Sequence, residues 1–469
     1  MATTLITGGT VVGATGSAPA DVLVDGETIA AVLAPGSAAL GIDPAAAADR
    51  VIDATGKYVV PGGVDAHTHM ELPFGGTVAA DNFETGTRAA AWGGTTTIVD
   101  FAIQSIGATL RDGLDAWHAK AEGNCAIDYG FHMIMADVNE GSLKEMEGLV
   151  GEGVTSFKLF MAYPGVLYSD DGQVLRALQK GAETGGLILM HAENGIAIDV
   201  LIEQALARGQ TDPRYHGVVR HELLEAEATH RAIKLAQVAN APVYIVHLSA
   251  TSALAEVAKA RDEGYNAFAE TCPQYLFLST DDLARPDFEG AKYVCSTPLR
   301  PKEHQAALWR GLRTDDLSVV STDHCPFCFK GQKELGLGDF SKIPNGLPSV
   351  EHRMDLLHTG VLEGHISRRR WVEIACATPA RMFGLYPRKG TIAPGSDADV
   401  VIYDPNKKQV FSAATHHMAV DYSCYEGKEI TGKVEKVLSR GRLVIDGDSY
   451  TGAAGHGQFL RRDTCGYLR

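Results

Sequence analysis

The sequence predicts an α/β protein: a (β/α)8 TIM-like barrel with a small discontinuous β-sandwich domain built from both termini. Three observations lead there. Between residues 63 and 387 short apolar strands alternate with longer helical patterns, which implies a parallel sheet covered by helices. The number of such strands suits a closed barrel better than an open doubly wound sheet. Residues 1–62 and 388–469 share a different texture, short strands separated by tight turns, as if one β-rich domain were interrupted by the other.

At the N-terminal end, strands are expected at Thr3 to Thr7, Thr10 to Val12, Asp21 to Val24 and Thr28 to Leu33, with Asp25-Gly26 as a hairpin turn. The barrel begins with a strand ending at His67. It continues with Thr95 to Asp100, Asp128 to Met135, Ser156 to Phe160, Leu187 to His191, Val243 to His247, Asn266 to Glu270 and Ser318 to Asp323. Glu222 to Ile233 is one of the helical patterns between them. The closing end supplies Ala398 to Pro405, Val434 to Leu438 and Arg442 to Ile445, with a turn signal at Asp446-Gly447. Apart from the Ala-rich stretch Ala45 to Ala48 there is no low-complexity tract, repeat or Pro-rich linker.

Composition narrows the function classes. A chain of 469 residues that is 45% hydrophobic and 21% charged can bury a full core. Its formal charge of -16 disfavours nucleic acid or an anionic membrane as partner, since both need clustered Lys and Arg. A small neutral or cationic substrate fits better. The first residues lack a basic and apolar leader, and no apolar run approaches the roughly 20 residues of a membrane span. Eight scattered cysteines suggest reduced thiols, so a cytoplasmic location is expected.

The chemistry begins at His67-Thr68-His69, where an extended backbone presents two imidazoles on one face and can grip a divalent ion. Other strands also end in residues of ligand type: Lys158, His191, His247 and Asp323. In a parallel barrel the active site lies at the carboxyl ends of the strands, so all six side chains converge on one mouth. Lys158 is the odd member, because an ammonium offers no lone pair. Either it reaches water or pairs with Asp323, or it is converted chemically into an anionic ligand.

These motifs resemble the cyclic amidohydrolases of the amidohydrolase superfamily, specifically the dihydropyrimidinase and D-hydantoinase family. They stand here as Asp65 to His69, Phe157 to Tyr163, Met190 to Asn194, Val246 to Ser249, Cys295 to Arg300, Ser321 to Phe327 and Pro344 to Pro348. The resemblance covers nearly the whole chain. It implies two divalent metal ions, zinc by preference although imidazole and carboxylate also suit manganese or iron. It further implies a carbamate formed on Lys158 from carbon dioxide (N6-carboxylysine), which turns the cation into an oxygen anion able to bridge both ions. His67, His69 and Asp323 would hold the more buried ion, and His191 and His247 the more exposed one. A bridging hydroxide would attack a ring carbonyl, giving an N-carbamoyl amino acid. Asp323 would take the nucleophile's proton and return it to the leaving nitrogen, while Tyr163 would donate to the oxyanion.

For substrate binding the resemblance assigns Ser296 and Asn345 to the ring's imide edge through their backbone groups. Leu72, Phe160 and Leu167 would flank the ring substituent. Where dihydroorotase, a relative, has an Arg that grips a carboxylate two residues after the second His, this chain has Glu71. That departure favours a dihydropyrimidine or a 5-substituted hydantoin. Cys325 and Cys328 form a lone Cys-x-x-Cys without a second pair, so no redox or separate zinc role is assigned to them. His324 should point away from Asp323 if the strand stays extended, and reads as structural. An allantoinase-like ureide hydrolase shares this metal site. A non-catalytic dihydropyrimidinase-like interaction protein would have lost ligands that here are all present. A homotetramer is the family expectation.

Overall fold

The computed structural model describes residues 2–35 and 48–468, so most of the Ala45 to Ala48 stretch lies outside the described residues. Eight parallel strands, numbered here β1 to β8, form one sheet in sequential order: Gly63–Thr68, Thr95–Ile103, Asp128–Ile134, Ser156–Phe160, Leu187–His191, Val243–Ile245, Ala267–Thr271 and Val319–Val320. Their side chains are buried on both faces, as expected for a sheet wrapped by helices. The helix Asp171–Thr184 shows the local logic. Asp170 and Gln173 form a reciprocal capping box, Val174, Ala177, Leu178 and Gly181 face the core, and Gly185 ends the helix at φ 78. The pattern seen at Glu222 runs further than expected, to Ala239. Among the described residues no helix is long and apolar enough to cross a membrane.

Alternation along the strands decides what enters the barrel. On β4 and β5, Phe160, Leu187 and Leu189 join Phe101, Ile134, Tyr244 and Val246 in the interior cluster, whereas Phe157, Leu159, Ile188 and Met190 pack outward under the helices. That phase carries Lys158 and His191 inward. Two strands need a local departure. On β1 the register slips between Asp65, opposite Ile98, and Thr68, opposite Asp100, so one extra residue bulges beside His67. Strand β6 was expected to continue to His247 but ends at Ile245; His247 takes φ 39. Since Val243 and Ile245 face outward, further extension would have sent His247 outward too, and the left-handed residue redirects it. Likewise β8 stops at Val320 and Asp323 sits at φ 52, short of the expected strand end.

Strands β8 and β1 close the barrel mostly through side chains. At the mouth, the His69 N–H donates to the His324 carbonyl at 2.8 Å, beside a single bridge between Thr68 and His324. In the middle, the Asp65 carboxylate accepts from the Thr322 N–H at 3.1 Å and its hydroxyl at 2.6 Å. At the far end the buried Arg353 donates to the carbonyls of Val64 and Val320, each at 3.0 Å, and to that of Ala375 at 3.2 Å. Gly63 leaves room for it, since a Cβ there would lie 2.8 Å from the guanidinium.

Both ends of the chain meet in a seven-stranded sheet, where Val400–Val410 pairs antiparallel with Tyr58–Pro61. A four-stranded sheet holding Thr3–Thr7 and Asp21–Asp25 faces it across Ile6, Val22, Val24, Val59, Val400 and Ile402. The strand expected to stop at Pro405 runs on to Val410 through an irregularity between Asp404 and Lys408, which accommodates a proline that has no N–H to donate. Beyond Tyr450 the chain returns to the barrel, where the Leu460 N–H donates to the Tyr129 carbonyl at 2.7 Å.

Replacing Arg353 with methionine would remove a donor shared by three enclosed carbonyls, at about 1–3 kcal/mol for each one left unsatisfied. The thermal unfolding midpoint of Arg353→Met is expected to fall by several degrees or more, and an unchanged midpoint would contradict the role given to this side chain in barrel closure.

Candidate active site

Six side chains from five strand ends meet at the barrel mouth. His67 Nε2 lies 3.2 Å from His69 Nε2, 3.0 Å from Lys158 Nζ and 3.2 Å from Asp323 Oδ1. Asp323 Oδ1 is also 3.2 Å from His69 Nε2. His191 Nδ1 faces His247 Nε2 at 2.9 Å, and the rings of His247 and His67 lie 5.4 Å apart. One candidate ligand atom each from His67, His247 and Asp323 lies within 4.8 Å of the others.

The electrostatics suit a cation. Burial lowers the pKa of His67, His69, His191 and His247, and the neighbouring Lys158 lowers each further, so the rings are neutral and keep their lone pairs. His69 Nδ1 and His247 Nδ1 are enclosed without a hydrogen-bond partner among the described residues. Several lone pairs thus face one another with few protons to share, a donor set that fits a divalent metal. Lys158 is 1% exposed and forms no ion pair among the described residues, so it neither reaches water nor pairs with Asp323. Its ammonium lies over the rings of Phe101 and Phe160, and burial pulls its pKa down to about 8.

A second ring of groups aims the first. Glu270 bonds His67 Nδ1, accepts from the His247 N–H at 3.2 Å, and takes the hydroxyls of Tyr244 at 2.9 Å and Ser321 at 2.8 Å. One carboxylate therefore orients the His67 imidazole and holds the backbone at His247. Glu193 holds His191 Nε2 at 2.8 Å and is held in turn by Arg220 at 2.7 Å. Asp100 accepts from the Thr68 hydroxyl and the Met70 N–H, each at 2.8 Å, on either side of His69. Burial pushes the Asp100 carboxyl up to about 7.

None of Glu270, Glu193, Arg220 or Asp100 was singled out from sequence. Glu270 could have been, because it closes an expected strand just as the ligands close theirs. His324 is enclosed and bound to Asp81 at 3.0 Å, in keeping with a structural role, although the backbone at Asp323 is not extended. Cys325 and Cys328 are free thiols.

A cavity of about 340 Å³ opens over the cluster and is lined by Leu72, Phe160, Tyr163, Leu167, Ser296 and Asn345, together with His69, Lys158, His191, His247 and Asp323. Asn345 Nδ2 donates to Ser296 Oγ at 3.0 Å and lies 3.5 Å from the Tyr163 hydroxyl, so these three side chains form one wall. Burial raises the Tyr163 phenol, which keeps its proton. The sequence did not point to Phe74, Ile103, Ile106, Ile134 and Val166, which complete an apolar outer wall. Phe74 sits on the short hairpin Pro73–Phe74 and Thr77–Val78, whose tip at Gly75 packs so near Pro344 that a Cβ would lie 3.2 Å from its Cα.

A model of the amidohydrolase family matches residues 58–444. The D-hydantoinase of Streptomyces coelicolor is 74% identical over 465 residues, covering 99% of each chain, and that of Geobacillus stearothermophilus is 48% identical over 468 residues, covering 99% of this chain and 98% of its own. The crystal structure of dihydropyrimidinase from Brevibacillus agri matches with a TM-score of 0.96 at 49% identity, covering 98% of this chain and 99% of that one. The chain belongs to the amidohydrolase family, a family of metal-dependent enzymes, and within it to the dihydropyrimidinase and D-hydantoinase branch.

Glu270→Gln keeps the shape of the side chain but removes the carboxyl that bonds His67 Nδ1 and the His247 N–H. Resistance to metal stripping by a chelator is expected to fall by roughly 10–100-fold. Equal metal retention in variant and parent would show that Glu270 serves only the packing of the barrel.

Proposed function

We propose that this enzyme hydrolyses a cyclic amide, a 5,6-dihydropyrimidine or a 5-substituted hydantoin, to an N-carbamoyl amino acid. The observation that carries this reading is a cavity whose floor is formed by five of the six candidate ligands, His69, Lys158, His191, His247 and Asp323, and whose outer wall is largely apolar, with no arginine among the described lining residues to receive a carboxylate. The names of its relatives, D-hydantoinase and dihydropyrimidinase, support the same substrates. Glu71, two residues after His69, is not among the lining residues, so nothing there serves an anionic ring substituent. Leu72, Phe160 and Leu167, joined by Phe74, Ile106 and Val166, would accept an alkyl or aryl group, at roughly 1–3 kcal/mol for a group well filled.

In this reading His67, His69, Asp323, His191 and His247, with Lys158 as its carbamate, would hold two divalent ions, zinc by preference. When bound, the ions supply hydroxide near neutral pH and polarise a ring carbonyl. Asp323 takes the proton of the attacking oxygen and delivers it to the ring nitrogen, so the C–N bond breaks toward a neutral leaving group. The protonated Tyr163 hydroxyl donates to the oxyanion. Ser296 and Asn345 hold the imide edge. The low lysine pKa supports the carbamate, since only the neutral amine attacks carbon dioxide. The same reading includes a homotetramer, a cytoplasmic location, and a division into a barrel of residues 63–387 and a sandwich of residues 1–62 with 388–469, the stretch beyond Tyr450 packing back on the barrel.

Side-by-side turnover of dihydrouracil, 5-phenylhydantoin and allantoin by protein of known metal content tests the substrate class. Ring opening of the first two to N-carbamoyl products is expected, with allantoin poor because its polar ureido arm would meet the apolar wall. Preferential turnover of allantoin would transfer the enzyme to ureide hydrolysis, and a metal-free, inactive protein would make it an interaction protein. Lys158→Ala is expected to lose metal and activity together, and full activity in it would exclude the carbamate. For Asp323→Asn a loss of about 10²–10⁴-fold or more in turnover is expected; near-normal rates would assign the proton transfers elsewhere.

A further inference from the structure

An enclosed cation outside the ligand cluster lacks a counter-charge among the described residues. Lys333 is fully buried, and no carboxylate forms an ion pair with it among the described residues. Its ammonium instead donates to three main-chain carbonyls, those of Val294 at 2.9 Å, Pro344 at 2.7 Å and Gly346 at 2.9 Å. An ammonium has three hydrogens, so the set is complete. Burial pulls its pKa down to about 8, the mark of a charge held in an unfavourable place.

The three carbonyls belong to two segments that meet at the cavity wall. Val294 leads into Ser296, while Pro344 and Gly346 flank Asn345; Ser296, Asn345 and Gly346 all line the cavity. The Gly346 N–H donates to the Val294 carbonyl at 3.0 Å and joins the segments a second time. Gly346 has φ 151, and a Cβ there would lie 2.1 Å from the Cys325 carbonyl, so the loop is clamped on that side as well.

This clamp sets the direction of two peptide groups. In a trans peptide the N–H and C=O point opposite ways, and both peptides of Asn345 are trans. Because Lys333 holds the Pro344 carbonyl, the Asn345 N–H points away from the ammonium. Because Val294 holds the Gly346 N–H, the Asn345 carbonyl points away from Val294. Neither group of Asn345 makes a hydrogen bond among the described residues. A donor and an acceptor are thus left open on one wall residue, the complement of an N–H and C=O pair on a ring.

We infer that Lys333 is a positioning residue for substrate recognition, holding Asn345 so that its main-chain N–H and C=O read the amide edge of the ring. The inference rests on the cyclic-amide reading above. It gives the buried charge a task beyond packing: three carbonyls from two segments are gathered on one ammonium, which an uncharged side chain of similar length cannot do.

The test compares the metal-loaded parent with Lys333→Met and Lys333→Gln, on 5-phenylhydantoin and on its analogue methylated at the ring nitrogen between the carbonyls. The parent is expected to favour the unmethylated ring by KM. In the variants KM for that ring should rise about tenfold, the worth of one or two hydrogen bonds, and the preference should shrink, while kcat stays within about threefold and metal content is unchanged. A lower melting point with KM and preference intact would overturn the inference and leave Lys333 a purely structural residue. Should neither variant fold, the parent alone decides: equal KM for both rings would overturn it. A parent that opens neither ring would overturn the cyclic-amide reading itself, an outcome distinct from both.

Discussion

Burying Lys158 among imidazoles is the constraint around which the site is organised. Its ammonium is enclosed between two aromatic faces, its nearest polar neighbour is the Nε2 of a neutral histidine, and it forms no ion pair among the described residues. Charged groups taken out of water are costly unless matched, and the usual outcome is a depressed pKa. Here burial pulls the lysine pKa down to about 8, so the neutral amine is far more accessible than in a free lysine, at the floor of the cavity beside lone pairs from four rings and one carboxylate. The arrangement is poorly satisfied by protein atoms alone and well satisfied by cations bridged by an anionic lysine derivative, the state proposed for the working enzyme.

Precision in such a cluster depends on the groups behind it. Glu270 ties the His67 imidazole to the backbone at His247, so the first and sixth barrel strands are fixed to each other through one carboxyl group. Asp65, Thr322 and Arg353 close the first strand against the eighth where an ordinary ladder is nearly missing. Closure there fixes His67, His69 and Asp323 together, because all three flank that seam. Lys333 applies the same device to the cavity wall, with a buried polar side chain doing between loops what strand pairing does in a sheet.

Much of this was legible in the chain because a strand has period two and an apolar strand that ends in His, Lys or Asp breaks its own pattern. His67, His69, Lys158, His191, His247 and Asp323 were found that way, and the structure brings them to one mouth. The finer path of the backbone was not legible. The bulge at His67 and the left-handed residues His247 and Asp323 come from tertiary constraints that outweigh local extension. Glu270 carried the same strand-end signal and was passed over, whereas Arg353 and Lys333 were invisible for a related reason: each acts on partners far away in sequence, and a charged residue inside an ordinary motif looks like a solvated one. Leu72, Phe160 and Leu167 came from resemblance, whereas Ile106 and Val166 lie on loops with no periodicity to betray them.

Zinc titrated calorimetrically into chelator-stripped protein, once in bicarbonate buffer and once in buffer freed of carbon dioxide, tests the central claim most directly. If the lysine is completed as a carbamate by carbon dioxide, two ions should bind tightly per chain with bicarbonate present, and at least one should bind far more weakly without it. Identical stoichiometry and affinity in the two buffers would contradict the claim.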